Sequence, residues 1–190
     1  MKLVKCLFAS MLLIGCTNSL FAQASAEEHP TVSQILERSL KPTEGEFVSA
    51  ADAMPEDKYS FAPTNGEFKG VRTFAQQVKH VAAVNYIIGA AILETKPPVE
   101  LGGENGPDSI TSKADIMKFL KDSFAYLHKA VASINEKNQT DQIKNPFGEG
   151  KTTKLGFATV GYWHPFDHYG QMVEYLRMNG IIPPASRGQR

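Results

Sequence analysis

The chain has 190 residues, 42% hydrophobic and 21% charged, with 20 Lys and Arg against 20 Asp and Glu. That apolar content suffices for one packed domain and argues against a disordered chain. The even charge, with no Lys/Arg run, argues against nucleic acid as a partner.

Residues 1–24 read as an export leader. Lys2 and Lys5 form a positive n-region, and Cys6 to Gly15 is an apolar stretch too short to span a bilayer. Ala22-Gln23-Ala24 supplies a small-x-small cleavage pattern, predicting a mature start at Ser25 and a domain over 25–190. Leu13-Ile14-Gly15-Cys16 also resembles a bacterial lipobox, so a lipid anchor at Cys16 is the alternative to a soluble secreted or periplasmic form. The Leu20 to Ala24 ending favours the soluble form. Without the two leader lysines, 18 basic residues face 20 acidic ones, a net charge of about −2. Both cysteines, Cys6 and Cys16, fall in the leader. The mature domain therefore has no disulfide, no thiolate ligand and no cysteine nucleophile. A site must come from His, Asp, Glu, Tyr or Asn.

Four amphipathic helices follow. The first spans about Val32 to Ala53, capped by Thr31 or Ser33, with Ile35, Leu36, Leu40, Phe47, Ala50 and Met54 as its buried stripe. Pro42 and Gly45 predict a kink or two pieces. Pro55 to Arg72 reads as a loop with a short extended piece at Tyr59-Ser60-Phe61. The second helix opens at Thr73, with Gln76 completing a capping box. It carries a seam of Phe74, Val78, Val81, Asn85, Ile88 and Ile92 and stops before Pro97-Pro98. Val99 to Thr111 is a Gly/Asn/Pro-rich connection, long enough to cross from one end of a bundle to the other.

The third helix begins at Ser112 and buries Ile116, Leu120, Phe124, Leu127, Val131 and Ile134. Asn135 to Thr153 is polar and turn-rich, with a loop at Asn145 to Gly150. The fourth helix runs from about Lys154 to Asn179, with Leu155, Tyr162, Phe166, Tyr169, Val173 and Leu176 on its apolar face. It closes at Asn179-Gly180, before Pro183-Pro184. No run of alternating strands stands out. The expectation is an all-α four-helix bundle with a long crossover.

The chemistry lies in the histidines. His164 and His168 are four apart, which stacks two imidazoles on one helical face within reach of one ion. Such a pair usually takes a third protein ligand from elsewhere. His80, in the middle of the second helix among Val78, Val81 and Val84, is either that ligand or a satisfied core histidine. His29 reads as solvated. His128, with no acidic or histidine neighbour three or four residues away, reads as structural. Three imidazoles suit zinc, nickel, iron(II) or copper. Pro165, between the paired histidines, removes a backbone hydrogen bond and crowds Gly161. A kink at 161–165 is expected, and His164 is the ligand it puts at risk. Asp167 either orients a neighbour or is a solvated charge. Asn85 needs a partner, in the bundle or at a pocket wall. Tyr162, Trp163, Phe166 and Tyr169 read as core or dimer surface.

Lys79-His80-Val81-Ala82, then His164-x-x-x-His168-x-Gly170-Gln171, then Tyr175-Leu176-Arg177-Met178-Asn179-Gly180 and a Pro-Pro pair, together resemble the DinB-like superfamily. The resemblance covers nearly all of the mature chain, including Ala53 to Phe61. It implies a four-helix bundle with a long crossover, frequent dimerisation, and a divalent transition metal (zinc, nickel or iron) on His80, His164 and His168. Gly170 then reads as a close-packing position and Gln171 as a residue supporting the ligands. Members of that superfamily include thiol S-transferases and a maleylpyruvate isomerase that use low-molecular-weight thiols, and others treated as hydrolases. Two readings remain. One is an exported metal-dependent hydrolase or thiol transferase acting on a small molecule. The other is a non-catalytic metal- or ligand-binding domain of the cell envelope. No Glu lies within the HxxxH, so this is not a metalloprotease HExxH site. Export separates the chain from cytosolic thiols, which weakens the transferase version.

Overall fold

The computed structural model describes residues 29–188. The leader, the Cys16 alternative and the mature start at Ser25 lie outside them. Four long helices and one small hairpin follow in order: α1 (Val32–Ala53), α2 (Phe74–Leu93), α3 (Lys113–Ala132), β1 (Gln142–Lys144), β2 (Lys151–Thr153) and α4 (Lys154–Met178). Single 3-10 turns occupy Glu56–Lys58 and Pro184–Ser186. The all-α bundle expected from periodicity is the architecture. Among the described residues, no helix is long and apolar enough to cross a membrane.

The helix ends follow from local chemistry. Thr31 and Thr73 each accept the amide of the residue three positions on, while Gln34 and Gln76 reach back to the cap amide. Ser112 accepts from the Asp115 amide. These contacts satisfy donors that a helix start leaves without partners. At the end of α4, Gly180 adopts φ +73°, which only glycine does without strain. Its amide donates to the Arg177 carbonyl and that of Ile181 to Leu176, closing a Schellman turn.

α2 is buried on almost every side because it packs against both α3 and α4, while α1 covers the other side of the same two helices. The chain direction follows from contacts at the ends. Where α1 finishes, the Lys113 ammonium at the start of α3 donates to the Asp52 and Met54 carbonyls. The Tyr59 hydroxyl donates to Ala51 there, and the Ala75 amide, at the start of α2, donates to Tyr59. At the opposite end Lys154, opening α4, pairs with Glu94, just past α2. Hence α2 and α3 run parallel, and residues 94–112 return along the bundle as the long crossover.

Five local expectations change. Ile35 is 52% exposed, because the buried positions Leu36, Leu40, Thr43, Phe47, Ala50 and Met54 already form a complete stripe one residue away. α1 is one unbroken helix through Pro42 rather than two pieces. Next to the lost hydrogen bond, the Thr43 hydroxyl donates to the Ser39 carbonyl at 2.8 Å. Tyr59 to Phe61 form turns and no strand. The 135–153 stretch contains the antiparallel hairpin, pairing Gln142 with Thr153 and Lys144 with Lys151. Each strand has three residues, too few for an alternation to register in the sequence.

The fifth change concerns α4. Of its six expected core residues only Leu176 is fully buried, and Phe166 is 44% exposed. The buried face is Phe157, Ala158, Gly161, Pro165, His168, Met172, Tyr175 and Leu176. Apolar residues lie all round this helix, so periodicity alone marks no single stripe. Small residues decide: a Cβ at Gly161 would stand 3.0 Å from Leu127 Cδ2, so the bare Cα lets that side chain in.

Candidate metal centre

His164 and His168 sit one turn apart on α4, and α2 brings His80 across the bundle to meet them. One ring nitrogen from each lies within 4.8 Å of the others, an arrangement that could hold a metal ion. His80 Nε2 and His164 Nε2 are 3.1 Å apart. Two nitrogens on a tetrahedral ion with bonds of about 2.0–2.1 Å would be roughly 3.3 Å apart. Pro165 lies inside an unbroken α4, and His164 joins the cluster regardless.

Hydrogen bonds to the outer nitrogens set the tautomers. The His80 Nδ1 lies 2.6 Å from the Glu104 carbonyl, which can only accept. His80 therefore carries its proton on Nδ1 and presents a lone pair at Nε2. For His168 the same outcome is dictated from further out. The Asp167 carboxylate accepts from Gln171 Nε2 at 3.1 Å, turning the Gln171 carbonyl oxygen inward. That oxygen accepts from Gln77 Nε2 at 2.8 Å, which turns Gln77 Oε1 toward His168 Nδ1, 2.6 Å away. His168 Nδ1 must donate, and its Nε2 is left as a lone pair. The His164 Nδ1 is buried without a hydrogen-bond partner. Of the three inner nitrogens, only His164 Nε2 can carry a proton. Two converging lone pairs are left with one proton between them, a donor set that fits a cation.

The surroundings keep the rings neutral. Burial lowers the His164 pKa to about 3, with the charges of His168, His80 and Arg72 adding to it. Burial also lowers His168 to about 4, reinforced by His80 and Arg72 and opposed by Asp167. His80 is lowered chiefly by burial, against the pull of the Glu104 hydrogen bond. Neutral imidazole is the form that ligates.

The other sequence candidates separate clearly. His29 is exposed. His128 is structural, but it has acidic partners on another helix, which its own helical neighbours do not reveal. Its Nδ1 contacts the Glu37 carboxylate at 2.8 Å and its Nε2 meets Glu44 at 2.9 Å, tying α3 to α1. Burial opposes its charged form, and the bonds to Glu37 and Glu44 outweigh that and raise its pKa. Asn85 is fully buried and donates to the Ser123 hydroxyl inside the bundle, while its Oδ1 has no hydrogen-bond partner among the described residues. Trp163 is 53% exposed, while Tyr162 and Tyr169 are half-buried. Gly170 is not a close-packing position: it faces open space, and a Cβ added there would meet nothing within 4 Å.

Gln77 escaped the sequence reading, although a buried amide three residues before His80 in an apolar helix was its signal. Asn105 and Arg72 carried no such signal. A groove of ≈ 720 Å³ between the end of α2 and the hairpin is not lined by any of the three histidines.

The family comparison agrees with this geometry. Residues 39–172 match the DinB superfamily. Three crystal structures share the fold at low identity. A DinB-like protein from Bacillus cereus is 17% identical with TM-score 0.64, over 81% of this chain and 96% of its own. A conserved protein from Enterococcus faecalis is 16% identical with TM-score 0.63, over 79% and 98%. A DinB-like protein from Bacillus subtilis is 17% identical with TM-score 0.58, over 77% and 92%. No curated protein matches. With its four-helix bundle, its three-histidine cluster and a family match over most of its length, the chain belongs to the DinB superfamily.

Proposed function

We propose that His80, His164 and His168 hold one divalent transition metal (zinc, nickel or iron) and that the chain is an exported metal-dependent enzyme of hydrolase or thiol-transfer type. The observation that carries the metal reading is the proton count at the triad: two inward lone pairs face a third nitrogen that can offer one proton. When bound, such an ion supplies a Lewis-acid centre that lowers the pKa of what coordinates it. Three protein ligands are the number that catalytic sites use, leaving a position for a small-molecule substrate. The residues of the chain do the orienting: Glu104 holds the His80 ring, and the Asp167–Gln171–Gln77 chain holds His168. Export rests on the leader pattern of residues 1–24, with the Cys16 lipid anchor as its alternative. The proposed assembly is a homodimer, supported by Trp163 and Phe166, three apart on α4 and both exposed.

A non-catalytic metal-binding domain is the second reading, and one observation favours it. The carboxylates whose charge reaches the triad, Glu104 and Asp167, are both exposed, and none is poised as a buried general base. The test begins with elemental analysis of the protein purified without tag or chelator. About one transition metal per chain is expected, lost in His80→Ala and His168→Ala and kept in His128→Ala. Equal metal in all three variants would sink the site. Turnover of hydrolase or thiol-transfer substrates that disappears in His168→Ala then separates the enzyme from the binding domain.

A further inference from the structure

A second feature lies beside the triad and is not used by it. Arg72, two residues before α2, lines a small polar cavity of ≈ 330 Å³ together with Asn105, Gln76, Gln77 and Gln171. Gln77 is shared: one face of its amide holds His168 and the side chain also borders this cavity. The crossover makes a second link. Glu104 gives its carbonyl to His80, and the next residue, Asn105, accepts from Arg72 Nε at 3.0 Å. Gly106 then lies so close to α2 that a Cβ there would be 2.8 Å from Lys79 Cβ. The Lys79 ammonium donates to the Pro107 and Ile110 carbonyls, fastening the same segment. The guanidinium is thus held at a fixed place relative to two of the three histidines.

Its charge has no counterpart. Among the described residues, no carboxylate forms an ion pair with Arg72. The start of α2 offers no competing donor either. The amides of Phe74, Ala75, Gln76 and Gln77 are taken by Phe61, Tyr59 and, twice, Thr73. With Nε committed to Asn105, the two terminal nitrogens remain, a planar pair that matches the two oxygens of a carboxylate. Besides Arg72 the lining side chains are Val71 and neutral amides, with the exposed carboxylates of Asp167 and Glu104 outside it, so the cavity supplies one positive charge and suits a monoanion better than a phosphate dianion.

We propose that Arg72, oriented by Asn105, is the anion-recognition residue of this site and that its ligand carries a carboxylate. This rests on the reading of the triad as the functional centre, and it narrows the substrate to small carboxylic acids whose other end reaches the histidines.

The test is calorimetric titration with acetate, and in parallel with inorganic phosphate, of zinc-loaded and metal-free protein. Wild type is expected to bind acetate in preference to phosphate. Arg72→Gln should weaken acetate about tenfold or more, as loss of a charge-assisted pair does. Zinc stoichiometry should be unchanged and the melting temperature should move little, because the part-buried contact from the Tyr175 hydroxyl is to the Arg72 backbone and the side-chain bond that is lost, to Asn105, is solvent-exposed. Asn105→Ala should weaken acetate less than Arg72→Gln, and Arg72→Lys should restore only part of the affinity. Equal acetate binding by Arg72→Gln, no acetate binding by wild type, or an Arg72-dependent preference for phosphate would each overturn the proposal. The two readings fail separately. Arg72-dependent acetate binding without zinc uptake would keep the anion site and remove the metal. Zinc uptake without acetate binding would do the reverse.

Discussion

Replacing Gln77 by Leu tests whether the triad is held from outside. The amide is 1% exposed, accepts from His168 at 2.6 Å and donates to Gln171 at 2.8 Å. Leucine fills similar space but leaves the His168 Nδ1–H without an acceptor. A buried unpaired donor costs about 1–3 kcal/mol, whereas the half-buried Gln171 can turn toward water. The added apolar burial offsets part of this, so a net loss of about 1–2 kcal/mol is expected, or roughly 2–8 °C in Tm for a domain this size. The larger signature is in metal affinity. His168 loses the bond that keeps its proton on Nδ1, and loss of such supporting bonds typically weakens a site about 10–100-fold, or roughly 1.4–2.8 kcal/mol. Competition against a chromophoric chelator would read the zinc affinity, and melts with and without zinc would read the stability. Because metal stabilisation scales with the logarithm of affinity, the zinc-induced rise in Tm should shrink in the variant. Gln77→Glu keeps an acceptor and should retain tight binding. Zinc affinity of Gln77→Leu within about twofold of wild type would refute the argument that the Asp167–Gln171–Gln77 chain sets the ligand tautomer.

Three further outcomes follow from the packing. Gly170→Ala should raise Tm by about 2–4 °C, since helix propensity gains up to about 1 kcal/mol where no neighbour is touched; a lower Tm would contradict the open environment. Gly89→Ala should be destabilising despite the same propensity gain, because its Cβ would meet the Tyr126 ring at 2.7 Å. That ring is held against Tyr86 and by the Thr95 hydroxyl, so overpacking of about 1–3 kcal/mol is expected, and urea melts would reveal it. His128 gains its carboxylate partners on folding, so its folded pKa lies above the ordinary 6.5. Its stabilising contribution is fully present below pH 6.5 and is lost as pH rises through the folded value. The stability gap between wild type and His128→Asn should therefore narrow as pH rises; a gap that widens would reverse the assignment.

The sequence by itself determined the helices and their ends. Thr31, Thr73 and Ser112 cap donors within three residues, and Gly180 closes a turn within five, so the information is local. The stripes of α2 and α3 were legible for the same reason, since an apolar seam at three and four residues has one way to be buried. The His164 and His168 pair was equally visible, being one turn apart. Residues such as Ile35 and Phe166 were misplaced because choosing among adjacent apolar faces depends on what packs opposite, as Leu127 against Gly161 does.

Tertiary structure decided the rest of the site, apart from the identity of His80, which the sequence already offers as the third ligand. His80 meets His164 across 84 positions and Gln77 meets His168 across 91. His128 finds Glu37 and Glu44 on another helix, and Arg72 finds Asn105 only because the crossover folds back over α2. No periodicity encodes these pairs. Side chains so far apart in the chain come together only when the apolar faces of four helices have chosen their neighbours, and that choice sets the proton positions on which the proposed metal site depends.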